Sequence, residues 1–143
     1  MVKKKLLTFL VAVLIVFSFT ITPAFAYTTG SCSGSTGFCT YLTMYSGDLI
    51  GKGNAQPLNQ NYSTYYEFQT TSDSLFNVSF WLERYDDTSH TWSQVTSPKN
   101  AAQKGGTNYG FYTTSSAGTY RLVAKCGDTV SGRCAGTGTF ETW

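Results

Sequence analysis

A carboxylate, a hydroxyl and an imidazole fall within one short polar stretch, Asp86-Asp87-Thr88-Ser89-His90-Thr91, and His90 is the only histidine in the chain. In that combination an imidazole can take the proton of a hydroxyl nucleophile while a carboxylate fixes the tautomer of the ring. Such a triad needs its base and its orienting acid on a rigid scaffold, and three groups sharing one turn are not held at fixed mutual angles. The stretch therefore reads as a solvated turn. A near miss to the Gly-x-Ser-x-Gly nucleophile elbow, Gly30-Ser31-Cys32-Ser33-Gly34, puts a cysteine at the reactive position. Glu67 and Glu83 are the strand carboxylates that would have to form a glycosidase pair, but both fall on the polar side of their alternation, where a carboxylate solubilises the surface. Asp86, Asp87 and Asp128 lack the alternating ligand spacing of a calcium loop. These readings assign no catalytic residue, no metal and no cofactor. They argue against an enzyme, with a small hydrolase the least favoured function.

The four cysteines are Cys32, Cys39, Cys126 and Cys134. An even count in an exported chain points to two disulfides. Of the three pairings that four cysteines allow, the clustering favours Cys32 with Cys39 and Cys126 with Cys134, although a pairing between the two ends of the chain would look the same in sequence. Neither pair has the gap of two to four residues seen in zinc knuckles.

Export is indicated by the first residues. Lys3, Lys4 and Lys5 precede an apolar run at 6–19, broken only by Thr8 and Ser18; Pro23 and then Ala24-Phe25-Ala26 follow, a small-residue cleavage site. The run is shorter than the ~20 apolar residues that span a bilayer. The expected division is a secretory signal peptide at 1–26 and a single domain at 27–143, secreted and without a stable membrane anchor after cleavage. Three of the ten basic residues leave with the leader, so the remainder carries seven basic and eight acidic residues, a net charge of −1. Its basic residues are scattered among acids, which excludes the counterion-releasing surface of a nucleic-acid binder and a polybasic membrane patch.

Positioning of all these groups falls to strands. Period-two alternation predicts seven of them, at 38–45, 62–70, 75–85, 91–96, 108–113, 119–126 and 137–143. The clearest is 75–85, where Phe76, Val78, Phe80 and Leu82 alternate with Asn77, Ser79, Trp81 and Glu83; in 119–126, Val123 breaks the polar side. Short polar loops at 86–90 and 115–118 suit direct antiparallel returns, while 46–61 and 97–107 read as longer exposed loops. A single sheet would leave one apolar face wet, so the expected fold is all-β: a small antiparallel two-sheet β-sandwich, with a small β-barrel as the alternative.

The run Ser116-Ala117-Gly118-Thr119-Tyr120-Arg121-Leu122 resembles the penultimate strand of immunoglobulin-like sandwiches, in which a turn glycine precedes a buried tyrosine. Leu122 stands where the inter-sheet cysteine of that family would be. The resemblance implies sandwich architecture and nothing about function.

Aromatic side chains make up 16% of the residues, enough to ask where those outside the core point. With Leu42, Met44, Tyr66, Phe68, Phe80 and Leu82 inward, Tyr41, Tyr45, Tyr65, Trp81 and Tyr85 fall on the other face of their strands. Rings of this kind offer large apolar area at small entropic cost, and they also pair across strands for purely structural reasons. Two functional classes stand above hydrolysis. One is a non-catalytic extracellular binding or surface-interaction protein whose partner is an extracellular ligand or cell-surface component, with cell-wall material or polysaccharide the leading candidates. The other is a secreted antimicrobial, toxin-like or inhibitor effector.

Overall fold

A computed structural model describes residues 27–33 and 37–142; the expected leader at 1–26 lies outside the described residues. The chain runs through β1 (Thr28–Ser31), β2 (Cys39–Met44), β3 (Ile50–Lys52), β4 (Gln56–Leu58), β5 (Ser63–Thr70), β6 (Val78–Asp86), β7 (Thr91–Gln94), β8 (Lys99–Ala101), β9 (Thr107–Thr113), β10 (Gly118–Cys126) and β11 (Gly136–Thr142). All pairings are antiparallel. A front sheet has the order β1-β2-β11-β5-β9; a back sheet has β3-β10-β6-β7, with β4 also on β10 and β8 also on β6. The result is a two-sheet antiparallel sandwich.

Alternation explains why these segments are strands and how they face. In β5 the buried residues are Thr64, Tyr66, Phe68 and Thr70, and in β6 they are Val78, Phe80 and Leu82. Across the sandwich Phe80 meets Tyr66 at 5.9 Å and Phe68 at 6.1 Å between ring centres. Leu42, Met44 and Phe140 from the front sheet and Tyr120, Leu122 and Ala124 from the back sheet complete the core. Fully burying a side chain such as Phe or Leu contributes about 1.5–3 kcal/mol relative to leaving it in water, so the inward set fixes the register.

The chain crosses between sheets repeatedly. After β2 it passes to the back sheet (β3 and β4), returns to the front (β5), goes back again (β6, then β7 and β8), and continues front (β9), back (β10), front (β11). That alternating path, with front order β2-β11-β5-β9, is a jelly roll extended by β1. The loop at 115–118 is consequently a corner between sheets rather than a hairpin, whereas 86–90 does join the paired strands β6 and β7. The segments expected as long loops contain β3, β4 and β8. Each of these pairs with only part of a longer neighbour: β3 and β4 take opposite ends of β10, and β7 and β8 take opposite ends of β6. Interrupted edges, one carrying Pro57, present little continuous backbone for further strand pairing.

The immunoglobulin-like resemblance holds for its tyrosine and not for the chain path. Tyr120 is fully buried, and its hydroxyl donates to the Ser116 carbonyl at 2.7 Å, the tyrosine-corner contact. Disulfides join Cys32 to Cys39 and Cys126 to Cys134, with Cα separations of 4.9 and 5.6 Å. Bonds of this kind persist in oxidising, extracytoplasmic compartments. Tyr120→Phe leaves the Ser116 carbonyl without its donor; it is expected to cost about 1–2 kcal/mol, read as a fall of several degrees in Tm. An unchanged Tm would show that the corner contact contributes nothing.

Candidate functional site

On the front sheet the outward rings gather at the β5–β9 side. Cross-strand register sets Tyr109 opposite Glu67 and Phe111 opposite Tyr65, while β11 sets Thr139 opposite Glu67 and Glu141 opposite Tyr65. Ring centres lie 5.9 Å apart for Tyr65 and Tyr109, 5.5 Å for Tyr65 and Phe111, and 5.8 Å for Tyr109 and Phe111. Tyr109 is 53% exposed and Phe111 58%, so the cluster forms a surface and not a core. The residue between them explains their orientation. A Cβ at Gly110 would fall 2.5 Å from the Tyr66 ring and 2.6 Å from the Lys99 side chain, so that position must face inward as glycine and its neighbours must face out.

Glu67 is fixed among these rings. Its two oxygens accept hydrogen bonds from the Tyr65 hydroxyl at 2.6 Å and the Thr139 hydroxyl at 3.2 Å. Burial of the Tyr65 ring first, then the hydrogen bond to Glu67, then the charges of Glu67 and Glu141 push this phenol above the usual tyrosine range, and it remains a donor at neutral pH. One row along the strands, beyond Tyr109 and Glu67, an open depression of about 400 Å³ is lined by Gln69, Thr70, Thr71, Ser72, Gly105 and Thr137. Aromatic area, a positioned carboxylate and hydroxyl or amide groups thus lie on one face.

The five aromatic residues singled out in the sequence do not form a single patch. Tyr41 shares the front face, but its ring covers Gly30 on β1, where a Cβ would lie 2.5–2.6 Å from ring atoms, and β11 separates it from Tyr65. Tyr45 follows the end of β2 and approaches the Thr28 hydroxyl at 3.2 Å. Trp81 and Tyr85 are on β6, so they point from the opposite side of the molecule. Parity along a strand separates inside from outside without saying which sheet the strand joins. Tyr109 and Phe111 are obscured in the sequence because residues 109, 111 and 112 are all aromatic, which blurs the alternation; Gly110 is the one local signal of their direction.

Side chains on the back face hold one another. Arg121 donates to Glu83 at 2.6 and 3.0 Å and stacks 3.7 Å over the Trp92 ring; the Trp81 indole N–H donates to Glu83 at 3.2 Å. Tyr85 packs on Trp92 at 5.2 Å, and Val123, outward but fully buried, lies opposite Trp81.

The catalytic alternatives meet geometric obstacles. His90 Nδ1 is 3.3 Å from the Tyr85 hydroxyl, while Asp86 accepts from the Thr88 amide and the Ser89 hydroxyl at 2.9 Å each. Those bonds hold the Asp86 carboxyl below its ordinary range and make it a turn cap, not the orienting acid of a relay through His90. Glu67 and Glu83 extend from the outer faces of sheets that pack about 10 Å apart, so they cannot flank one glycosidic bond. Asp128 binds the Ser131 hydroxyl and the Val130 amide, which lowers its carboxyl to about 2. Among the described residues no group of three His, Cys, Asp or Glu side chains is placed to hold a metal.

No family model and no curated protein matches the sequence. Among solved structures, the chain is similar to a CBM4 structure (8% identity over 82% of this chain and 89% of that one, TM-score 0.43). It is also similar to the CBM22-1 xylan-binding domain of Xyn10C from Paenibacillus barcinonensis (14%, 82% and 79%, TM-score 0.45). A third is PliG from Aeromonas hydrophila, a periplasmic inhibitor of g-type lysozyme (10%, 82% and 85%, TM-score 0.44). Likeness at this level concerns general shape, and any ligand must be argued from this chain's own residues.

Raising the folded-state value of the Tyr65 phenol has a definite sign. The unfolded chain loses that proton first as pH rises, so the stability linked to it is intact below about pH 10 and is lost progressively as pH climbs from there through the raised folded-state value. In an alkaline titration followed by tyrosinate absorbance, Tyr65→Phe should delete a phenol that ionises above the ordinary range. Glu67→Gln should lower that elevation without abolishing it, because burial is the larger cause. Deletion of an ordinary phenol would contradict the described contact.

Proposed function

We propose that this chain is a secreted, non-catalytic binding protein, released by removal of residues 1–26, that holds a chain-like polysaccharide on its front face. One observation carries the reading: Tyr65, Tyr109 and Phe111 form a half-exposed aromatic surface beside a carboxylate whose position is fixed by two hydroxyl donors. A pyranose ring has an apolar C–H face that packs on an aromatic ring, and an equatorial rim of hydroxyls that Glu67, Gln69 and Thr137 can meet. Rings on strands lose little conformational freedom on binding, which favours affinity from a small area. Tyr41, farther along the same face, would meet a longer chain; Trp81 and Tyr85 belong to the back face and take no part.

Co-sedimentation with insoluble polysaccharides and isolated cell walls tests the reading. The intact protein should be retained on at least one of them, and Tyr109→Ala with Phe111→Ala should weaken retention about tenfold or more, at roughly 1 kcal/mol per ring. Tyr85→Ala should leave retention unchanged. Failure to be retained on any polymer, or full retention of the double variant, rules the proposal out.

A further inference from the structure

The two outer faces differ in charge as sharply as in aromatic packing. At the outward strand positions of the back sheet stand Lys52, Arg121 and Lys125, with Glu83 already bound to Arg121. At those of the front sheet stand Glu67 and Glu141, and among the described residues no lysine or arginine occupies an outward strand position there. The asymmetry is local, because the chain after residue 26 is close to neutral. Both front-face carboxylates border the ring cluster: Glu67 is opposite Tyr109, Glu141 is opposite Tyr65, and both charges act on the Tyr65 phenol.

Resting on the polysaccharide reading, we infer that the front face selects an amine-bearing glycan, a polymer of glucosamine-type units, over neutral and uronate polymers. Three features of an ammonium-bearing sugar fit this face. Its ring C–H face packs on Tyr109 and Phe111, its ammonium is attracted by the faces of the surrounding rings, and the same ammonium can donate to Glu67. A carboxylate offers about four acceptor sites, and the hydroxyls of Tyr65 and Thr139 occupy two at Glu67. A neutral sugar would cover Glu67 and Glu141 without returning a positive charge. A uronate would set carboxylate against carboxylate, with no cation at the outward strand positions to relieve the repulsion.

The experiment uses the oxidised protein beginning at residue 27 and three soluble oligosaccharides of equal length: β-linked glucosamine, its fully N-acetylated counterpart and galacturonate. Calorimetric titrations are run at a mildly acidic pH, where the amines are charged, and at two salt concentrations. The glucosamine oligomer should bind at least tenfold tighter than the N-acetylated one, with that margin shrinking at higher salt; galacturonate should not bind. Glu67→Gln and, separately, Glu141→Gln should each weaken glucosamine binding several-fold and narrow its margin over the N-acetylated oligomer, with folding checked by circular dichroism. Equal affinity for the two amino sugars, preference for galacturonate, or an amine preference that survives both substitutions would overturn the inference while leaving polysaccharide binding intact. So would retention by other polysaccharides with no affinity for the glucosamine oligomer. Loss of binding to every polysaccharide is instead the failure of the underlying reading.

Discussion

The contact of Phe80 with Tyr66 and Phe68 across the sandwich is the constraint on which the outer surface depends. Side chains alternate strictly along a strand, so burying Tyr66 and Phe68 leaves Tyr65, Glu67 and Gln69 no choice but the solvent face. The neighbouring strands obey the same rule: Phe140 goes inward and sends Thr139 and Glu141 out. Gly110 slips beneath Tyr66 and sends Tyr109 and Phe111 out. The candidate site is therefore the reverse side of the core, and its geometry inherits the rigidity of the packing beneath it.

Both outer faces are rich in rings, yet their side chains are committed differently. On the back face Glu83, Arg121 and Trp92 engage one another, and the ion pair is largely withdrawn from water, with side chains only 14% and 16% exposed. A ligand arriving there would have to displace contacts that hold the surface together. On the front face the internal bonds orient a carboxylate and still leave substantial ring area open to solvent, which is preorganisation of the kind that lowers the entropic cost of recognition.

Much of the fold was legible because period two persists over long segments. Each of the seven expected strands is present, with ends shifted by a few residues; the start at 75 moves to Val78, for instance. Strands β1, β3, β4 and β8 were not legible. They are three or four residues long, and they exist because β2, β10 and β6 offer unpaired backbone groups, a tertiary cause with little local signature. The two local disulfides followed from cysteine clustering. The site was legible only in part. Alternation correctly turned Tyr41, Tyr65, Trp81 and Tyr85 away from the core, but assigning them to one surface required the chain path, and that path switches sheets between β5 and β6.

The two disulfides span only 7 and 8 positions of sequence, whereas the pairing of β2 with β11 joins segments nearly a hundred residues apart. Among the described residues, none lying between the two cysteines of either pair belongs to a strand. Ring closure also discriminates among partners: closing about eight residues rather than about a hundred is favoured by about 2 kcal/mol, some thirtyfold. Proximity along the chain thereby favours the observed thiol pairing over either arrangement that would tie one end of the molecule to the other.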